Sequence, residues 1–371
     1  MKFFELLKIA LGHIDMFTES PSDKEWKDIF AMSVKQALIG IMFTGVERLP
    51  ASQRPPRELI LRWYILVGKI ERRNKFMNSA CSNVYEFFFQ RGFDCCVLKG
   101  QGIAIYYPDS LRRQSGDIDA WVLPKDREGK RVDWCADKVI ENVHGRKGGA
   151  RASYHNVSSS EFEGVEVEVH YRPSFMYSPF SNRKLQRFFT THSKGQLIHK
   201  AKLHEGYVAV PTPEFNAVFL LSHIYRHVFQ EGIGLRQLLD YYYLLVKTEL
   251  AKDTIKRKKI VDQLKKCNMT NIARAVMFVL GKAFGLKKEY MIVEPDERLG
   301  NFLLNEIMIT GNFGQYDERV SDSARKSALG RNLQRLKRDL MLFRYFPSES
   351  MAEPFFRLYH WFWRRRMNRA K

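Results

Sequence analysis

Asp117 and Asp119, in Gly116-Asp117-Ile118-Asp119, are the residues of this chain whose type and spacing most directly suggest chemistry. The segment from Asp117 to Leu123 (DIDAWVL) reads as a strand. Side chains alternate faces along a strand, so the two carboxylates point the same way while Ile118 and Ala120 point to a core. Paired carboxylates repel each other and persist best with a cation between them. Hard divalent ions such as Mg2+ take oxygen ligands, commonly one or two carboxylates plus substrate phosphates. The pair therefore suggests metal-dependent phosphate chemistry. A D-x-D alone is a weak signal and is usually a solvated strand face or a turn, but three neighbours support the metal reading. Leu98-Lys99-Gly100 closes a short apolar run, and Arg112 and Arg113 immediately precede the acidic pair. Val165-Glu166-Val167-Glu168-Val169-His170 alternates strictly, which predicts a half-buried strand with Val inward and Glu166, Glu168 and His170 outward. A neighbouring strand could thus deliver Glu168 beside Asp117 and Asp119.

Each nearby residue has a functional reading and a plainer one. Lys99 could face a triphosphate as a point charge, or be a solvated lysine. Gly100 and Gly102 would let backbone approach phosphate at a helix N-terminus, or simply form a turn. Arg112 and Arg113 could hold phosphates or orient the acidic pair by bidentate contacts. Glu166 lies one pleat repeat, ~7 Å, from Glu168 and reads as solvated. His170 could bind substrate or steer Glu168, or be structural, and His155 is of the same kind. His223 and His227 are i,i+4 on a helix face, a spacing zinc can use. No glutamate of an H-E-x-x-H motif lies between them and no third ligand is evident, so a packed or substrate-facing pair is the expectation. Arg236 and Asp240 are spaced for a helix salt bridge.

Taken together, Leu98-Lys99-Gly100, Tyr106-Tyr107-Pro108, Arg113, Gly116-Asp117-Ile118-Asp119 and Val167-Glu168-Val169-His170 resemble the signature of the bacterial nucleotidyltransferase-like family, within the DNA polymerase beta superfamily. His223, His227, Arg236 and Asp240, in LLSHIYRHVFQEGIGLRQLLDYYYLL, resemble the helical segment that follows the catalytic domain there. The similarity spans roughly Glu71 to Leu245. It implies a polymerase-beta-like core and transfer of a nucleoside monophosphate from an NTP to an acceptor hydroxyl, releasing pyrophosphate. It further implies Asp117, Asp119 and Glu168 as catalytic residues and ligands of Mg2+ or Mn2+. Lys99, Gly100, Arg113 and Gly116 would bind the nucleotide, Arg113 fitting the spacing better than Arg112. His223, His227, Arg236 and Asp240 would contact substrate, because that helical segment packs over the site, and His170 would do so from its strand. The wider superfamily grips phosphates with a Gly-Ser pair; here Lys99-Gly100, followed by Gln101-Gly102, stands in that region, a substitution the resembled family shares.

The composition fits a globular, phosphate-handling protein. The 371 residues correspond to two or three domains' worth of chain at about 150 residues each. The hydrophobic fraction is 45%, enough for a sizeable core. Sixty-one Lys and Arg against 41 Asp and Glu give +20, a bias toward nucleotides, nucleic acid or an acidic membrane surface. Cys81, Cys95, Cys96, Cys135 and Cys267 contain no C-x-x-C and read as reduced thiols. MKFFELLKIALGHIDMF is broken by charges and lacks a secretory h-region. No stretch reaches ~18 apolar residues. The expected location is cytoplasmic, or peripheral at a membrane.

These groups must be positioned by an α+β fold. Residues 1–78 read as an N-terminal helical region, including a helix from Glu25 to Glu47. Leu59 to Gln90 reads as one long helix or two. Residues 79–205 read as the nucleotidyltransferase core with a small mixed sheet: strands at Phe93–Leu98, Asp117–Leu123 and Phe162–Tyr171, helices at Gln101–Tyr107 and Lys125–Asn142. HGRKGGARASYHNVSSS reads as a loop around a short strand. Residues 206–371 read as helical, with breaks near Lys252, Pro295, Gly311–Gly314 and Pro347. The tail PFFRLYHWFWRRRMNRAK interleaves aromatics with basic residues. It suits a packed terminal helix, nucleic-acid stacking or an anionic membrane surface. The acceptor is open: a small molecule, a sugar or peptide intermediate, a protein or an RNA. The rival readings are a non-catalytic nucleotide-sensing or nucleic-acid-binding protein on the same fold, and an enzyme transferring another phosphate-containing group.

Overall fold

Valine alternation around Glu168 and the apolar run before Lys99 both become strands of a sheet covered on two faces. The computed structural model describes residues 1–126, 132–144, 151–162, 164–203, 206–319 and 327–367. Its five-stranded sheet comprises β1 (Phe93–Val97), β2 (Ile118–Pro124), β3 (Arg151–Ala152), β4 (Asn156–Phe162) and β5 (Val165–His170) in the spatial order β1-β2-β5-β4-β3. β2 and β5 are parallel, and the other neighbours are antiparallel. Asp119 registers with Glu168 and Trp121 with His170.

Helices α1 (Lys2–Ala10), α2 (Asp23–Lys35), α3 (Ile39–Arg48) and α4 (Arg57–Gln90) precede the sheet. Within and after it lie α5 (Gln101–Ala104), α6 (Val132–His144) and α7 (Pro179–Ile198). A hairpin of β6 (Lys200–Leu203) and β7 (Gly206–Ala209) leads to α8 (Pro213–Gln230) and α9 (Leu235–Thr248). Further α-helices among the described residues are α10 (Thr254–Lys266), α11 (Thr270–Val279), α12 (Glu297–Thr310), α13 (Ala328–Phe343) and α14 (Pro347–Met367). The fold is α+β, as expected.

The sheet's two faces meet different partners because side chains alternate. Ile118, Ala120, Val122, Val165, Val167 and Val169 share a core with Met77, Cys81 and Val84 of α4 and with Val139 and Ile140 of α6. The opposite face carries Cys96, Trp121, Asp119 and His170, all buried. Trp121 stacks on Phe215 of α8 at 5.6 Å between ring centroids. Nearly every residue of α8 and α9 is buried, so this helical pair roofs the face that carries the carboxylates.

Several local expectations need revision. The helix expected over Glu25–Glu47 is broken: Ala37 has φ +54° and separates α2 from α3. The buried Gln36 side chain there donates to Ile307 O and accepts from Leu235 N, so partners distant in sequence hold the hinge. The Gly- and Ser-rich segment after residue 150 contributes two strands, β3 and β4. The strand expected from Phe162 is cut by Gly164, whose φ of +79° suits glycine. The helix expected over Lys125–Asn142 is described over Val132–His144, and residues 127–131 lie outside the described part. α4 is one helix and runs across position 78. All five cysteines are buried and none is in a disulfide.

A buried carboxylate pair sits between the last two helices. Burial, and then the neighbouring Glu353 carboxylate, push the Asp339 carboxyl up to about 8 from its ordinary 3.8. A carboxyl raised by folding binds more protons in the native chain than in the unfolded one, so its contribution to stability is lost as pH rises through that window. The melting midpoint should therefore be lower at about pH 8 than at about pH 5, and Asp339→Asn should raise it mainly at the higher pH. Scanning fluorimetry across that range would show parallel wild-type and variant profiles if the pair is inert.

Candidate active site

The site is built where β1, β2 and β5 end beneath α8 and α9. Beyond β1, Leu98 N still bonds Asp119 O at 2.9 Å, which brings Lys99 alongside β2. The chain then turns at Gly100, with φ +51°. A side chain at Gly102 would place its Cβ 2.4 Å from Val97 O, so this turn admits only glycine there. α5 is a single turn of helix rather than the longer element expected through Tyr107, so it provides little dipole for an anion.

Lys99, Gly100, Arg113, Gly116, Asp117 and Asp119 line one cleft, opposite His223, Arg236, Gln237, Asp240 and Phe313. Asp119 Oδ1 lies 2.8 Å from Lys99 Nζ and accepts from His170 Nε2 at 2.8 Å. Burial alone would raise the Asp119 carboxyl, but Lys99 and the His170 hydrogen bond reverse this and hold it well below the usual carboxylate range. Glu168 Oε2 accepts from Asn156 Nδ2 at 2.7 Å and lies 3.3 Å from His170 Nε2. Burial opposes an imidazolium at His170, yet its hydrogen bonds to both carboxylates outweigh that and raise its pKa. Asp117, just before β2, is driven the other way. Burial and then the Asp119 charge push its carboxyl up to about 6.

Asp119, Glu168 and His170 bring ligand atoms within 4.8 Å of one another, the one such cluster among the described residues. Asp117 lines the cleft beside that cluster rather than belonging to it. The carboxylates fit a divalent cation: Asp119 and Glu168 converge, held by the His170 hydrogen bonds, and the Asp117 carboxyl beside them is raised by burial and then by like charge that a cation would offset.

The roof is basic and imidazole-rich. His223 and His227 have ring centroids 4.3 Å apart. Burial lowers both pKa values well below the usual histidine range, with Lys99 adding for His223 and Arg226 for His227. Arg226 donates to His155 Nε2 and, at 3.2 Å, to His227 Nε2. Arg236 donates to Gln114 O at 2.8 Å and lies 5.4 Å from the Phe313 ring centroid. Its Nε is buried without a partner.

The helix salt bridge expected between Arg236 and Asp240 does not form, because Asp240 has a closer partner. Arg113 engages it bidentately at 2.7 and 2.8 Å, and Tyr107 OH donates to it at 2.6 Å. Arg112 turns away to Glu47 and Glu71. Glu166 is exposed, as its strand position implies. Sequence reasoning overlooked Asn156, hidden in the segment read as a loop around a short strand, and Arg226, whose position between two flagged histidines was the available signal.

Residues 22–285 match a family model described as an uncharacterised nucleotidyltransferase. The chain belongs to that family. The match spans the sheet, the acidic cluster and the α8–α9 roof, so the nucleotidyltransferase family and the buried cluster coincide in one place. No curated protein and no solved structure gives a match. Among the described residues of this nucleotidyltransferase-family chain, no helix is long and apolar enough to cross a membrane.

The Arg113–Asp240 pair has a measurable consequence. Removing one partner strands the other charge in a buried setting, at a cost of about 3–5 kcal/mol. Asp240→Ala should lower the urea unfolding free energy by that order, whereas Arg113→Met with Asp240→Leu should cost less than the two single changes summed. Strict additivity would show that the pair is not coupled.

Proposed function

We propose that this cleft transfers a nucleoside monophosphate from an NTP to an acceptor hydroxyl, on a core related to the polymerase beta superfamily. The observation that carries the reading is the register of Asp119 against Glu168 on adjacent parallel strands, with Asp117 at the cleft wall. Asp117, Asp119 and Glu168 would hold Mg2+ or Mn2+, with His170 fixing Asp119 and Glu168 through its hydrogen bonds. When bound, such an ion neutralises phosphate charge and lowers the pKa of a coordinated hydroxyl.

The chain's own groups supply the rest. The acceptor oxygen attacks the α-phosphorus, the bond to the bridging oxygen of the β-phosphate breaks, and pyrophosphate leaves. The hydroxyl proton passes to a carboxylate of the trio. Lys99 is the cation already against Asp119, and the charge of an incoming triphosphate gives its ammonium an alternative partner at the same cleft. Gly100 and Gly116 leave backbone accessible there. Arg113, held by Asp240, shapes the wall more than it offers free donors. Arg236 is different. It is a buried cation lining the cleft, its Nε is unpartnered, and the nearest carboxylate is taken by Arg113. His223 and His227, neutral at physiological pH, suit an acceptor or base edge. The location we favour is cytoplasmic.

The test uses purified protein, Mg2+ or Mn2+, each α-labelled NTP and an extract of the source cells. Wild type should transfer label and release pyrophosphate. Asp119→Asn should fold and lose ~1,000-fold or more of the rate, since several kcal/mol of charge stabilisation go with it. Metal-dependent nucleotide binding without transfer would favour a sensing protein instead. Label moving only from the γ position would indicate a different group transfer.

Arg236→Met supplies an independent check. Charge-assisted hydrogen bonds contribute about 1.5–3 kcal/mol, so the KM for NTP should rise ~10- to 100-fold while thermal stability holds. An unchanged KM would remove Arg236 from the anion site.

A further inference from the structure

The last two helices present apolar side chains to solvent. On α13, Leu333, Leu336, Leu340 and Phe343 recur at helical spacing and are exposed, Leu340 at 70%. On α14, Met351, Phe355, Leu358 and Phe362 do the same, Phe355 at 75%. These stripes lie opposite the faces that pack inward, where Leu342 and Phe346 are buried and Phe356 stacks on Phe175 at 4.9 Å. Arg357 of α14 donates to Asn332 on α13, tying the two helices together. Isolated exposed hydrophobics are ordinary, but two amphipathic helices turning apolar stripes outward are not.

Charge selects the occupant. From Ala328 to Met367 the chain carries nine Arg and Lys and three acidic residues. All three acids, Asp339, Glu349 and Glu353, are buried. Lys337, Arg344, Arg365 and Arg366 are exposed, and Arg365 lies over the Trp361 ring at 3.7 Å. Among the described residues, this hairpin therefore offers water only apolar and basic groups plus neutral polar ones. A second copy would meet it with the same sign of charge. A nucleic acid could stack on Phe343, Phe355, Tyr359, Trp361 and Phe362, but it would leave Leu333, Leu336, Leu340, Met351 and Leu358 in water, whereas a lipid interface takes both kinds of side chain. Apolar stripes rimmed by Arg and Lys are the pattern of helices that lie in a lipid–water interface.

We propose that the α13–α14 hairpin docks on an anionic phospholipid surface, placing the cleft beside a membrane. The inference does not depend on the cleft's chemistry. Each surface Lys or Arg adds to attraction toward acidic headgroups, and the exposed Leu and Phe side chains enter the acyl boundary.

The test is co-sedimentation of the full chain with vesicles of phosphatidylcholine containing about one-third phosphatidylserine, and with phosphatidylcholine alone. Binding should favour the anionic vesicles at least tenfold and weaken as salt rises from about 0.1 to about 0.5 M. Leu340→Glu with Phe355→Glu should reduce it about tenfold or more, with circular dichroism and melting unchanged. Arg365→Gln with Arg366→Gln alters only exposed groups; it should weaken anionic binding and leave neutral vesicles unaffected. Failure to sediment with anionic vesicles overturns the proposal. So does equal sedimentation with both vesicle types, or a glutamate-sensitive dimer or RNA complex in the absence of vesicle binding.

Discussion

Two carboxylates held side by side, Asp119 buried and Glu168 half-buried, are the constraint around which this protein is arranged. Neighbouring parallel strands put Asp119 against Glu168, and Asp117 adds a third negative charge at the same edge. At short range in a partly buried setting such repulsion is worth several kcal/mol. Lys99, His170 and Asn156 offset it, each delivered by a different element: the turn after β1, the end of β5 and the start of β4. The sheet order β1-β2-β5-β4 is what brings those three beside the acids. Burial and then the Asp119 charge raise the Asp117 carboxyl, and Lys99 offsets them only in part.

A second buried charge group ties the sheet to its roof. Arg113 lies in the loop before β2, Asp240 lies on α9, and Tyr107 follows α5; their mutual hydrogen bonds join the cleft floor to the helical cover. Bidentate geometry satisfies both ions, as a buried pair requires. The arrangement also decides what is left over. With Asp240 engaged by Arg113, Arg236 bonds the Gln114 carbonyl and leaves its Nε unpartnered, and Arg226 is matched to neutral histidines. The cleft thus combines an acidic floor with a cationic roof, a charge layout suited to a cation and a polyanion bound together.

Local signals served well where one face of a regular element is buried. The alternation in Val165–His170 identified β5 and its outward Glu168 and His170, because a valine face must pack. The glycines at Gly100 and Gly102 marked a tight turn, since one has positive φ and the other abuts Val97 O. The same reasoning failed where distant contacts decide. Nothing local breaks the Glu25–Glu47 periodicity; Gln36 bonding Leu235 and Ile307 does. The Ser- and Gly-rich segment looked like a loop around one short strand because β4 gains order by pairing with β5, and β3 by pairing with β4, rather than from their own propensity.

The sequence by itself determined an α+β chain with an acidic D-x-D strand, a second strand offering Glu168, a glycine turn at Lys99 and a strong basic bias. These follow from side-chain periodicity and from the restricted conformations glycine relieves, both short-range effects. Tertiary structure alone decided which charges meet. Asp240 could have bridged to Arg236 four residues away on its own helix, yet it faces Arg113 across 127 positions of chain. His170 could have been an ordinary core histidine, yet it bridges Asp119 and Glu168. Electrostatic pairing depends on distance in space, and that distance exists only once the sheet and its helical roof have packed.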